Sequence, residues 1–412
     1  MSSIEAIVIV GAGLAGARAA EALRKDGFDG SITLLGEEPE RPYLRPPLSK
    51  EYLRAEGARE QVYVHAEGFY ADHRIDLRPS TAVREIAAAS HEVVLDDDER
   101  VPYDRLLIAT GARPRKPALE GGDLLGVVTL RTLADADNLR AAAEKAERIV
   151  VVGAGWIGSE VAASLRMLGR HVVLITPDAV PLARVLGPEI GRVYADLHIE
   201  HGVELTTRAT VKRILGTERV RGVETSTGER IAADLVVVGI GVEPRTELAV
   251  AAGLAVGDGI EVSETLETSM PGIFAAGDVA SAWHPFYDQR VRSEHWANAK
   301  FQGATAARSM LGAAAPFDRI PYFYSDQYDL GMEYTGHASA GDRLVVRGNL
   351  GEREFVAFWL RDGRVAAGMN ANVWDVAKPI ERLIRSRSAV EADALADPSV
   401  QIDELAQTAV PV

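Results

Sequence analysis

Two hexapeptides carry glycine at the same three places. Gly11-Ala12-Gly13-Leu14-Ala15-Gly16 and Gly153-Ala154-Gly155-Trp156-Ile157-Gly158 both read Gly-x-Gly-x-x-Gly. The spacing has a physical meaning. The first glycine permits a tight turn, the second lets a pyrophosphate approach the backbone, and the third lets a helix pack closely on a strand. The helix that opens there turns its free N–H groups and positive dipole end toward the phosphates. An acidic side chain about 20 positions on takes the adenosine ribose hydroxyls. Glu37 and Glu38 stand at that place after the first hexapeptide, and Glu37 is the candidate. After the second the place is held by Thr176, followed by Pro177 and Asp178. A carboxylate there favours NAD and repels a 2′-phosphate. Threonine leaves the choice open, and Arg184 and Arg170 are either phosphate partners or solvated surface residues.

The surrounding pattern supplies the elements these turns need. Ala6-Ile7-Val8-Ile9-Val10 and Ile149-Val150-Val151-Val152 are continuous apolar runs, as in strands buried on both faces of a parallel sheet. Helices are predicted from about Leu14 to Lys25 and from about Ile157 to Leu168, each followed by a second apolar strand, Ile32–Leu35 and Val172–Ile175. The internal repeat implies two dinucleotide sites. Two further strands, Leu106–Ala109 and Leu235–Val238, run into the turns Thr110-Gly111 and Gly239-Ile240-Gly241. From about Pro321 the texture changes to short alternating runs. Leu344–Val346, Phe355–Leu360 and Val365–Ala367, with a tight turn at Asp362-Gly363, predict an antiparallel meander. A helix is predicted from about Val376 to Arg385, and the stretch with Ala396-Asp397-Pro398-Ser399 reads as a loose tail.

Composition narrows the chemistry. The 412 residues hold 45 Lys and Arg against 60 Asp and Glu, a net charge of −15, which disfavours nucleic acid or an anionic membrane as partner. There is no cysteine. That excludes disulfides, thiolate metal sites, redox thiol pairs and a cysteine nucleophile. The nine histidines show no metal-ligand spacing, so no metal is expected. His198 and His201, three apart on a predicted helix near Asp196 and Glu200, read as surface polarity. Met1-Ser2-Ser3-Ile4-Glu5 lacks a basic signal-peptide start, and no apolar run reaches the about 18 residues of a membrane span. The expectation is a soluble, cytoplasmic protein.

The two glycine turns, together with Ala109-Thr110-Gly111-Ala112 and Gly272-Ile273-Phe274-Ala275-Ala276-Gly277-Asp278, resemble the two-dinucleotide-binding flavoprotein superfamily. Arg45-Pro46-Pro47-Leu48-Ser49-Lys50, Glu294-His295-Trp296 and Pro321–Asp329 narrow the resemblance to the oxygenase-coupled NAD(P)H:ferredoxin reductases and their apoptosis-inducing-factor relatives. The resemblance implies an α/β fold with two Rossmann-like domains and a C-terminal α+β reductase domain. The FAD-binding domain is expected at 1–115 and 245–321, the NAD(P)H-binding domain at 116–244, and the C-terminal domain at 322–412.

It also implies roles. FAD is expected at Gly11, Gly13, Leu14, Ala15, Gly16, Glu37, Arg45, Lys50, Val83, Ala109, Thr110, Gly111, Arg131, Gly277, Asp278, Glu294, His295, Trp296 and Tyr324. NAD(P)H, with NADH favoured by the family, is expected at Gly153, Gly155, Trp156, Ile157, Gly158, Glu160, Thr176, Arg184, Gly239, Ile240 and Gly241. Lys50 and Glu160 are the expected catalytic pair, an ion pair on the nicotinamide side of the flavin. On residue type alone Lys50 is equally a solvated lysine at a helix start. Tyr324 stands where many relatives carry Trp, and a plain core aromatic is the alternative. Arg131 has the alternative of a surface arginine at a helix start.

The implied reaction passes electrons from NADH through FAD to a two-iron, two-sulfur ferredoxin that serves a monooxygenase or dioxygenase. Rubredoxin or another small acceptor, or a slow NADH-responsive binding module, are the alternatives. A monomer or homodimer is expected. Such ferredoxins are acidic, as is this chain, so docking requires a basic patch, for which Arg290, Arg292, Lys300, Arg308 and Arg319 are candidates.

Overall fold

The computed structural model describes residues 4–313 and 315–407. The expectations for Met1–Ser3 and for the last five residues therefore lie outside the described residues. The chain forms two compact units. One comprises Met1–Arg45, Ala58–Arg113 and Val242–Arg319, and the other Pro46–Gly57, Pro114–Gly241 and Ile320–Val412.

In the first unit the apolar runs form a five-stranded parallel sheet, in the order Ile273–Ala275, Arg105–Ile108, Ala6–Val10, Ser31–Leu35, Ile75–Arg78. Ile7, Ile9, Leu34 and Leu107 are all fully buried, which explains why these strands do not alternate polar with apolar. The helix Leu14–Lys25 has the predicted bounds and ends with Arg24 and Lys25 at its negative dipole end. It packs against the helix Trp296–Met310. Gly303 allows this approach, since a Cβ there would lie 2.2 Å from the Ala15 carbonyl oxygen.

The second unit repeats the design. Its parallel sheet runs Val127–Val128, Leu235–Val238, Arg148–Val152, His171–Ile175, Glu204–Thr206, with the helix Trp156–Met167 following the central strand. A three-stranded antiparallel sheet, Val211–Gly216, Val220–Thr225 and Arg230–Ala232, was not expected from the sequence.

Beyond residue 320 a five-stranded antiparallel sheet forms, ordered Tyr322–Gln327, Leu330–Gly336, Arg364–Ala371, Glu354–Arg361, Arg343–Asn349. The meander expectation holds for the last three strands in sequence. It fails for the whole sheet, because the hairpin Tyr322–Gly336 adds to the last strand and not to its sequence neighbour. The Asp362-Gly363 turn has positive φ at both residues (50° and 72°), as a two-residue hairpin requires. The helix Ala377–Ser386 covers the sheet, with Ile380 seated on Gly368.

The loose-tail expectation is corrected. Two short helices, Ala392–Ala396 and Ile402–Gln407, follow, with Leu395, Ile402 and Leu405 buried. The Arg347 guanidinium donates to the Leu395 and Ala394 carbonyls (2.8 and 3.2 Å), fixing the end of the first. Among the described residues, no helix is long and apolar enough to cross a membrane.

Candidate active site

Both glycine turns are built by the same contacts. Gly11 and Gly153 take φ of +116° and +99°, and a Cβ on either would lie 2.2–2.3 Å from a carbonyl oxygen, of Ala109 or Gly239. Gly16 and Gly158 press their helices onto the Gly11 and Gly153 carbonyls, at 2.1 and 1.9 Å from where a Cβ would sit. Gly13 and Gly155 differ, for a Cβ on either meets nothing within 4 Å. The fold needs the outer glycines of each turn. The middle one keeps open space at a helix N-terminus, which is the cradle a pyrophosphate requires. Leu14 and Ala15, like Trp156 and Ile157, begin the helices there. Ile157 is exposed and Ile240 projects from the neighbouring turn, whereas Trp156 packs edge-on against Phe323 at 5.0 Å.

In the first unit the remaining expected residues are tied to one another. Glu37 pairs with Arg245 at 2.5 Å, and the Arg245 backbone closes on the Thr110-Gly111 turn through the Gly111 carbonyl and the Thr110 hydroxyl. Glu38 pairs with Arg45 at 3.1 Å and accepts from the Tyr43 hydroxyl. Burial alone would lower the Arg45 guanidinium. Tyr43, Glu38 and Asp278 outweigh it and raise it, which brings Arg45 and Asp278 into one electrostatic group. The Gly277 N–H donates to the buried Gln302 amide at 2.9 Å, so Gln302 holds the Gly-Asp turn. Burial pushes the His295 imidazole down to about 4, with Asp278 opposing, so it is neutral at pH 7. Glu294 pairs with Arg292 at 2.5 Å, Trp296 opens its helix, and Val83 packs on this unit's core.

The basic-patch expectation is corrected in part. Arg290 pairs with Glu261, Arg292 with Asp258 and Glu294, and Arg308 with Asp26. Lys300 and Arg319 instead flank the Phe301 ring, at 5.3 and 3.7 Å from its centroid, and Lys300 also covers Trp296 at 4.7 Å. Neither is in an ion pair among the described residues.

The second unit joins Lys50 to Glu160. Lys50 follows the 3-10 turn Pro46–Ser49, Glu160 lies on the helix of the second glycine turn, and both are about 5% exposed. Their charges sit 3.2 Å apart. A solvated lysine at a helix start is thus ruled out by burial. Two residues that the sequence reading missed complete the group. The Ser49 hydroxyl donates to Oε2 of Glu160 and the Ser325 hydroxyl to Oε1 at 2.7 Å. Period-two alternation could have found Ser325. On the strand Tyr322–Gln327, Ser325 and Gln327 face inward while Tyr324 and Asp326 face outward. Tyr324 is not a core position, being 37% exposed, and its ring lies 5.6 Å from the Lys50 ammonium. Burial, with Asp326, Glu51 and Glu160 nearby, pushes its hydroxyl up to about 12. Burial, then the Glu160 and Glu51 charges, raise the Asp326 carboxyl, against the pull of Lys50.

Arg131 precedes the capping box of Thr132 and Asp135, its backbone N–H donating to Asp135 at 3.0 Å. Thr176 is buried, and Arg184 pairs with Asp178 at 3.0 Å. Arg170 is corrected as a phosphate candidate. It precedes the strand His171–Ile175, at the end of the parallel strands opposite the glycine turn. His198 is corrected too. It is fully buried, 3.3 Å from the Tyr328 hydroxyl, and not a surface residue.

Residues 5–303 match the family model described as pyridine nucleotide-disulphide oxidoreductase, and residues 322–406 the one described as reductase C-terminal. The chain is 42% identical to the ferredoxin–NAD(+) reductase component of the anthranilate 1,2-dioxygenase system of Burkholderia cepacia, over 97% of this chain and 98% of that one. It is 38% identical to a putidaredoxin reductase of Pseudomonas putida, over 98% and 97% of the two chains. The fold matches a chain of the covalent putidaredoxin reductase–putidaredoxin complex with TM-score 0.94 and 37% identity, covering 99% of each.

The chain belongs to the pyridine nucleotide-disulphide oxidoreductase family.

Like other members of that family it is an FAD-dependent oxidoreductase that uses NAD(P)H, and the resemblance drawn from its sequence holds. The disulphide in the family's description has no counterpart here, since there is no cysteine. The residues present fit two dinucleotides. Each glycine turn leaves its middle position open, and the fold has no other need for glycine there.

Proposed function

We propose that the protein takes a hydride from NADH and passes the electrons singly to a two-iron, two-sulfur ferredoxin that serves a monooxygenase or dioxygenase. The observation that carries this is likeness along the whole chain to a putidaredoxin reductase and to a dioxygenase-system reductase component. FAD, when bound, supplies the step between two-electron and one-electron chemistry. The side chains position and polarise. On this reading the domains divide at 1–115 with 245–321, 116–244 and 322–412. The first glycine turn, Asp278 and Arg45 hold FAD, with Glu37 on its ribose. Val83, the Thr110-Gly111 turn, Arg131, Glu294, His295, Trp296 and Tyr324 complete that site. The second turn, Thr176 and the Gly239–Gly241 turn hold NADH.

Lys50 and Glu160 serve the hydride step. The buried ammonium stabilises negative charge that develops beside it, and the carboxylate, fixed by two serines, keeps the ammonium in place. With no cysteine, electrons have no thiol route. Lys300 and Arg319 around Phe301 offer an acidic ferredoxin two cations and an apolar centre. A cytoplasmic monomer or homodimer completes the reading.

The test is steady-state reduction of cytochrome c by NADH, with and without a two-iron ferredoxin. Strong stimulation by ferredoxin is expected. Rapid turnover with quinones or ferricyanide but no stimulation by any ferredoxin would overturn the partner. A flavin that NADH bleaches but no acceptor reoxidises would favour a binding module.

A further inference from the structure

The loop after the strand His171–Ile175 carries a carboxylate, Asp178, that no assigned role explains, and the first turn of the helix that follows it, Ala183–Glu200, carries Arg184. The Gly153 N–H of the second glycine turn donates to the Ile175 carbonyl at 2.8 Å, so the next residues lie beside that turn. Thr176 does not offer its side chain freely. It is 2% exposed and its Oγ1 accepts the Asp178 N–H at 3.3 Å. Asp178 is the first acidic residue of the loop, and both its oxygens meet Nε of Arg184, at 3.2 and 3.0 Å. The loop is anchored at its far end as well. Leu182 takes φ of +57°, its side chain is buried, and its N–H donates to the Ala154 carbonyl inside the glycine turn at 2.9 Å. A bulky residue holds that backbone conformation only where its surroundings enforce it. The Asp178–Arg184 pair is therefore presented at the place where an adenosine ribose sits in a fold of this type.

We propose that Asp178 makes the enzyme select NADH over NADPH, by repelling a 2′-phosphate and by keeping Arg184 paired so that it cannot receive one. The proposal rests on the second glycine turn being the nicotinamide site. It places the acidic determinant two residues beyond the usual strand-end position, which Thr176 fills. The pair is partly exposed, and such pairs add little to stability. Arg184 is thus retained by charge balance more than by strength. Removing the Asp178 charge frees it for a doubly charged phosphate, a group that guanidinium recognises well.

The experiment compares kcat/KM for NADPH and NADH in the holoenzyme, its Asp178→Asn variant and the double variant Asp178→Asn with Arg184→Ala. Wild type should favour NADH by about tenfold or more, the single variant should raise the NADPH/NADH ratio about tenfold, and the double variant should lose that gain. Dissociation constants of NAD+ and NADP+ for wild type, read from flavin difference spectra, keep the proposal testable should Asp178→Asn fail to fold. Equal affinity for the two overturns it. A ratio unmoved by Asp178→Asn, or a gain that survives Arg184→Ala, also overturns it while leaving the hydride-transfer reading intact. A flavin that neither coenzyme reduces refutes that reading and the proposal together.

Discussion

Replacing Glu160 by Gln should cost more than replacing Lys50 by Met, and the structure gives the reason. Glu160 receives three donors, from Ser49, Lys50 and Ser325. Without Lys50 the carboxylate keeps two hydroxyl donors. Without the Glu160 charge, the buried ammonium keeps the Tyr324 ring at 5.6 Å and the charge of Asp326. At 3.2 Å, two charges interact by about 5 kcal/mol at an effective dielectric constant near 20. Removing one partner of such a pair costs about 3–5 kcal/mol, because the other is left uncompensated. Glu160→Gln is therefore expected at about 3–5 kcal/mol. Lys50→Met should cost about 1–3 kcal/mol, the range for leaving a buried hydrogen-bonding group partly unsatisfied. The double variant should cost less than their sum by about 1–3 kcal/mol, as coupled neighbours do. Urea unfolding of the three variants measures this. Stopped-flow bleaching of the flavin at saturating NADH should slow by about tenfold to a hundredfold in either single variant, the scale of losing one preorganised electrostatic group. Equal costs, additive within about 0.5 kcal/mol, would refute the coupling. Unchanged bleaching would refute the catalytic role.

Further consequences can be measured separately. Gly155→Ala should leave the fold intact and raise the KM for NADH, because its Cβ meets open space, whereas Gly158→Ala should destabilise the protein, because its Cβ meets the Gly153 carbonyl at 1.9 Å. Thermal unfolding and coenzyme titration distinguish the two. Charge reversal at Lys300 and Arg319 should raise the KM for ferredoxin and weaken its salt dependence, while the same change at Arg290 and Arg308, which are held in ion pairs, should do less. Burial pushes the His198 imidazole down to about 4, so the folded chain stays neutral there while the unfolded chain takes a proton near 6.5. Stability is then full above pH 6.5 and falls as pH drops toward 4. The loss from pH 7 to 5 is about 2 kcal/mol. Denaturant midpoints across that range should fall less steeply in His198→Gln, and an unchanged slope would contradict the assignment.

The three central strands of each parallel sheet were legible because they are continuous apolar runs and their turns need glycine for steric reasons, as the close contacts of Gly11, Gly16, Gly153 and Gly158 show, whereas flanking strands such as Ile75–Arg78 and Glu204–Thr206 mix polar with apolar residues and were not read. The helix Leu14–Lys25 was legible to the residue for the same cause: its start is set by the turn and its end by the Arg24-Lys25-Asp26 stop. The C-terminal sheet was legible as strands but not as an order, because alternation fixes which face is buried and says nothing of which strand is the neighbour. The tail was misread, as its helices are short and the first of them is held by a distant side chain, Arg347. At the site, Lys50 and Glu160 came from resemblance, and no local signal joins residues 110 positions apart. Ser49, Ser325 and Gln302 were missed because a serine or glutamine owes its role here to what lies opposite it. The arginines between residues 290 and 308 looked like a patch in sequence, but Arg290, Arg292 and Arg308 each meet an acidic partner from another segment, Glu261, Asp258 and Asp26, and Arg292 also meets its neighbour Glu294.

Electrons pass from NADH through this chain to a ferredoxin, and that passage can be followed directly. The most direct test is anaerobic stopped flow. The protein is first bleached with one equivalent of NADH and then mixed with an oxidised two-iron ferredoxin. Return of the flavin absorbance is expected at the rate at which the ferredoxin band fades, saturating with ferredoxin concentration. A flavin that stays reduced in the presence of every such ferredoxin, yet reoxidises with ferricyanide, would contradict it.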